Sequence, residues 1–128
     1  MGRGASVNAP GFEGAIEAQT EVCRRLGAAF DPPDLHLRAG VSVNLRSGIE
    51  PINGLREWPE GNLSGWFFWA GTELSEADDF FQPLHLVHLP LWLPRILPYL
   101  ALPLGWRFLL AEGYEDVWFD EALVHPRQ

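Results

Sequence analysis

Four carboxylates, Glu73, Glu76, Asp78 and Asp79, crowd one short stretch of the sequence, and two imidazoles, His85 and His88, follow it. Carboxylate and imidazole together can hold a divalent cation or pass a proton between acid and base. A small metal-dependent hydrolase using Asp78, Asp79, His85 and His88 is therefore one reading. Spacing opposes it. If 85–89 is extended, the two histidines project to opposite faces and cannot both reach one ion without a bulge or turn. The helical metalloprotease pattern instead sets two histidines four apart around a glutamate. No nucleophile elbow, phosphate-cradling glycine loop or dinucleotide fingerprint is present. Ser42, Ser47, Ser64 and Ser75 have no histidine beside them. No catalytic residue, resident metal or cofactor is expected.

Solubility alone accounts for such acidity, and a basic binding partner is the specific alternative. Of the 128 residues, 1–56 hold six acids and six arginines, whereas 57–128 hold 11 acids and three arginines; lysine is absent, and the net charge is -8. Unopposed carboxylates repel nucleic-acid phosphates and anionic membranes, and they attract basic proteins while speeding association. Asp116, Asp120 and Glu121 form a second acidic set, which joins the first in one negative surface if their strands are neighbours. Such a surface suits an arginine- or lysine-rich cleft. Trp92, in the proline-bounded loop Pro90-Leu91-Trp92-Leu93-Pro94, is either an exposed partner anchor or folded back over the core. The contact residues expected are Glu73, Glu76, Asp78, Asp79, Trp92, Glu115 and Asp116.

The elements that must position these groups follow from periodicity. Phe12, Ile16, Gln19, Cys23, Leu26 and Phe30 recur at helical steps, with Glu21 and Arg25 set for an i,i+4 pair on the other side. Asp31-Pro32-Pro33-Asp34 ends that helix. The alternation Val41, Val43, Leu45 against Ser42, Asn44, Arg46 predicts a strand with one buried face. Ile49 to Leu55, with Pro51 and Asn53-Gly54, reads as an edge segment or hairpin turn. Trp66 to Ala70 suits a central strand covered on both sides. Trp106–Leu110 and Val117–Phe119 are further strand candidates about Gly113, and Pro94 permits a short inserted helix near 94–101. One helix followed by strands makes the class α+β: an N-terminal amphipathic helix on a mainly antiparallel sheet.

The single cysteine, Cys23, lies on the apolar stripe and reads as a buried, inert thiol. Met1 to Pro10 is polar and lacks an apolar signal core. Pro83 to Pro103 is apolar enough to suggest a membrane span, but five prolines, two histidines and Arg95 break it. Cytoplasmic residence is expected, with a flexible lead over 1–11 and a single domain over 12–128.

Several ordered segments resemble the bacterial immunity protein 33 domain family, whose members are encoded beside polymorphic toxins. They are Pro51-Ile52-Asn53-Gly54-Leu55, Gly65-Trp66 with Trp69-Ala70-Gly71 and Glu73, Asp79-Phe80-Phe81, and Pro83-Leu84-His85 with His88. Tyr99-Leu100, Leu102-Pro103, Gly105-Trp106-Arg107-Phe108-Leu109 and Tyr114-Glu115-Asp116-Val117-Trp118 with Asp120 continue the set. With Cys23-Arg24-Arg25-Leu26-Gly27 in the helix, the likeness runs from about residue 12 to 124. Loop 90–93 is more apolar than the family's, and the usual Pro-Pro-Gly-like turn stands here as Pro103-Leu104-Gly105. The resemblance implies an α+β domain that neutralises a toxin by binding it. It supplies no catalytic residue. A non-toxin interaction module with the same fold is the remaining alternative, and oligomeric state is left open.

Overall fold

The computed structural model describes residues 9–125 and has α+β architecture. The lead expected over 1–11 lies outside the described residues up to position 8. Its last residues form a turn in which the Phe12 N–H donates to the Ala9 carbonyl at 3.1 Å. Helix α1 (Ala15–Leu26) buries Ala15, Gln19, Val22 and Cys23. Gly27 ends it in the left-handed region (φ 70), where glycine carries no Cβ penalty. The Ala28 N–H then donates to the Cys23 carbonyl at 2.9 Å and closes the last turn. Because the chain leaves the helical path at Gly27, Phe30 falls off the stripe and is exposed. Arg24, not Arg25, pairs with Glu21, at 2.7 Å and i,i+3 spacing. Arg25 is drawn instead to Glu115.

Six strands make one sheet: β1 (Arg38–Ser42), β2 (Ile52–Arg56), β3 (Leu63–Ala70), β4 (Phe81–His85), β5 (Trp106–Ala111) and β6 (Tyr114–Phe119). Their order is β4-β1-β3-β2-β5-β6. Every pairing is antiparallel except β1 with β3. The run Trp66 to Ala70 sits in the middle, as its continuous apolarity requires.

Two expectations fail because partners distant in sequence intervene. The strand at 41–45 stops at Ser42. Its buried hydroxyl donates to Asn44 Oδ1 at 2.6 Å and accepts the Ala70 N–H at 3.3 Å, while the Leu45 N–H turns back to the Ser42 carbonyl. Leu45 is buried by that turn, and Val43 is thrown out to 62% exposure. Asn53-Gly54 is likewise no hairpin turn but the middle of an interior strand. Asn53 Nδ2 donates to the carbonyls of Trp69 and Gly71 at 3.2 and 2.9 Å. Gly54 is needed for space rather than for turning, since an added Cβ would lie 2.3 Å from the Phe108 ring.

After β4 the chain makes a 3-10 turn (Leu86–His88), a single α-turn, α2 (Leu89–Trp92), and a 3-10 segment (Pro94–Tyr99), which occupies the place expected for the inserted helix. This segment lies on one face of the sheet. Trp66 Nε1 donates to the Leu100 carbonyl at 3.2 Å, and Arg56 Nη1 to the Leu102 carbonyl at 2.8 Å. Tyr99 stacks on Phe108 at 4.9 Å. Helix α1 packs above it, with Gln19 Nε2 donating to the Leu97 carbonyl at 3.1 Å. The core of Trp66, Phe68, Phe108, Ile96 and Leu100 is enclosed between these layers. No helix among the described residues is long and apolar enough to cross a membrane.

Candidate functional site

The 3-10 turn after β4 changes the geometry at the histidines. His85 ends β4 and His88 ends the turn, so the two rings are not on opposite faces but meet edge-on with centroids 6.2 Å apart. His85 Nε2 lies 3.5 Å from Arg38 Nε. No three His, Cys, Asp or Glu side chains among the described residues are grouped so as to hold a metal ion. Cys23 is buried, and that burial pushes its thiol up from the usual range.

Glu73, Glu76, Asp78 and Asp79 are all exposed on the loop from β3 to β4, and none pairs with a cation among the described residues. The second acidic set, Asp116, Asp120 and Glu121, comes from the other edge of the sheet. Strands β4 and β6 are opposite edges of the sheet, five strand spacings or roughly 24 Å apart. Asp120 and Glu121 follow the far end of β6, level with the start of β3 rather than with the acidic loop. Asp120 also binds Arg107 at 2.9 Å, which holds its carboxyl below the usual range. Glu115 points to the helix-covered face, where its carboxylate takes Arg25 at 2.7 Å and the Tyr99 hydroxyl. Arg25 lowers the Glu115 pKa. Burial, then the neighbouring Glu115, push Tyr99 up to about 12. Glu115 thus ties α1 to β6. Trp92 is folded back, half-buried against the core with the Arg46 guanidinium 4.2 Å above its ring. Its neighbour Leu91 is the exposed one, at 78%.

The other face of the sheet carries no helix among the described residues, apart from a 3-10 turn (Glu121–Leu123) at its margin. Register places Trp69, Asn53, Leu109 and Asp116 in one row across it and Phe67, Leu55, Arg107 and Trp118 in the next. Phe67 and Trp69 meet Phe81 edge-on at 5.1 and 6.2 Å. Phe67 can lie there because residue 40 is glycine; a Cβ at that position would come within 2.5 Å of the ring. Leu74, from the acidic loop, and Leu123, from the C-terminal turn, close a hollow of about 180 Å³ over Leu55, Phe67, Trp69 and Phe81. A larger hollow of about 490 Å³, containing Trp58 and His125, adjoins it through Glu57 and Leu123. Arg107 on this face is neutralised by Asp120 and stacked on Trp118 at 5.6 Å, although its buried Nε has no partner among the described residues.

Trp69 and Leu55 are buried on this face too, as expected of a strand covered on both sides, but the cover comes from loops rather than a helix, and Phe67 is left half-buried. A usable signal for the missing helix was present. The run sets aromatic rings alternately on two faces, yet the sequence offers one amphipathic helix and one proline-rich segment, enough to cover a single face.

A family model described as the Imm33-like domain matches residues 18–120. The chain belongs to the Imm33-like domain family. The Imm33-like span takes in most of α1, all six strands, the acidic loop and the helix-free face, and stops just short of the turn that contributes Leu123. Among curated proteins and among solved structures, none matches.

Proposed function

We propose that this Imm33-like chain is an immunity protein that binds a cognate bacterial polymorphic toxin and neutralises it by occlusion, without catalysis, in the cytoplasm of the producing cell. Membership of the Imm33-like family over residues 18–120 carries the reading. The display of carboxylates supports a partner with a basic surface, because Glu73, Glu76, Asp78, Asp79 and Asp116 have no cationic partner among the described residues. Opposite charge across an interface chiefly speeds encounter and rejects wrong partners. Trp92 and Glu115 stand lower among the proposed contacts, since each is already engaged within the fold.

The test is co-expression with the toxin encoded by the adjacent reading frame. Restored growth and a co-purifying complex are expected. A toxin that kills equally well with the chain present, and forms no complex with it, removes the reading.

A further inference from the structure

We propose that the helix-free face of the sheet is the docking surface, and that it takes a protein presenting an apolar side chain ringed by arginine or lysine. This rests on the immunity reading for the kind of partner, and adds where the partner seats and what recognises it.

The face has the make-up of an interface. Its centre is apolar: Leu55 and Trp69 form a buried floor, Phe67 and Phe81 are half-buried above it, and Leu74 remains 49% exposed at the lip of the hollow. Its margins are negative. Leu74 belongs to the loop that carries Glu73, Glu76, Asp78 and Asp79, and Asp116 lies on the same face in the row of Trp69. An apolar centre within a charged rim is the usual anatomy of a protein–protein contact. The charge also selects the occupant. A second copy of this chain, with net charge -8, would bring rim against like-charged rim. A basic protein would neutralise it. The most exposed large apolar side chain among the described residues, Leu91, lies beside Val87 and Pro90 in a hollow with no carboxylate in its lining, only His88. Charge complementarity therefore favours the sheet face over the Leu91 side.

The probe is the toxin domain encoded by the adjacent reading frame, purified in an inactivated form and titrated against the wild-type chain and three variants. Leu74→Ser is expected to weaken binding by about tenfold or more, as loss of an apolar anchor does. The double variant Asp78→Arg/Asp79→Arg is expected to slow association, most of all at low salt. Leu91→Ser is expected to bind like wild type. All the substituted positions are on loops or turns, and thermal unfolding checks that each variant is folded. If wild type binds and Leu74→Ser binds equally well, the docking face is wrong while the immunity function stands. Loss of binding in Leu91→Ser alone likewise moves the interface to the helix side. If wild type neither binds nor protects, the functional reading falls, and the occupant with it. A dimer of the chain alone, seen by sedimentation and abolished by Leu74→Ser, would give the face to a second copy and overturn the proposal.

Discussion

Two glycines on this sheet meet a phenylalanine ring at nearly the same distance, and replacing each by alanine should have unequal consequences. A Cβ at Gly54 would lie 2.3 Å from two ring atoms of Phe108; one at Gly40 would lie 2.5 and 2.7 Å from two of Phe67. Carbon atoms rest about 3.5–4.0 Å apart, so either ring must retreat by about 1 Å. Phe108 has nowhere to go. It is 1% exposed and held between Tyr99 at 4.9 Å, Trp66 at 5.9 Å and Phe68 at 6.1 Å. Phe67 is half-buried on the face without a helix, and Phe81 is its one ring neighbour. Overpacking a closed core costs about 1–3 kcal/mol. Against it, alanine gains about 0.4–1 kcal/mol by restricting the unfolded chain. The net expectation is a loss of about 1–2 kcal/mol for Gly54→Ala and under about 1 kcal/mol for Gly40→Ala. Urea unfolding at constant m-value reads the difference directly. Equal costs, or a neutral Gly54→Ala, would refute the argument that ring confinement decides the outcome. A second check is coupling: Phe108→Leu should recover part of the Gly54→Ala loss, because the two sites share one clash.

The Glu115 carboxylate is lowered chiefly by Arg25. Its contribution to stability is therefore full above the ordinary glutamate range and is lost as pH falls through the folded value; the gap between wild type and Glu115→Gln should shrink from about pH 7 to about pH 3. Tyr99 has the opposite sign. Its phenol is raised from 10.0 to about 12, so stability is intact below the unfolded value and is lost as pH climbs through the folded one. Tyr99→Phe should remove that alkaline loss, and an unchanged alkaline unfolding curve would count against the assignment. Cys23 is buried and its thiol raised by burial, so a thiol reagent should label it only as fast as the chain opens. Rapid labelling of the native protein would contradict that burial.

Helix α1 and central strand β3 were legible because a single pattern, a helical stripe or an unbroken apolar run, decides each. The failures share a cause: a local signal was outweighed by a neighbour distant in sequence. Asn53-Gly54 has turn chemistry, but carbonyls of Trp69 and Gly71 hold the asparagine and Phe108 needs the absent side chain of the glycine. Val43 alternates correctly, yet Ser42 is taken by the Ala70 N–H and ends the strand beneath it. At the candidate site, the acidic loop was readable from its composition. Asp116 and Glu115 were not separable, because adjacent strand residues face opposite ways and only the register shows which face is covered. The apolar centre was hidden for the same reason, with Leu74, Phe67 and Leu123 brought together by topology alone.

The two outermost strands are poor templates for strand addition. Pro83 in the middle of β4 removes one backbone donor from that edge. At the other edge β6 is six residues long and bears Glu115 and Asp116 side by side. Proline and charge on short margins are common ways for proteins to stop sheets growing sideways. A chain built like this is guarded against pairing backbone-to-backbone with its own copies when highly expressed. It is also poorly suited to capturing a partner as a seventh strand, which leaves recognition to side chains.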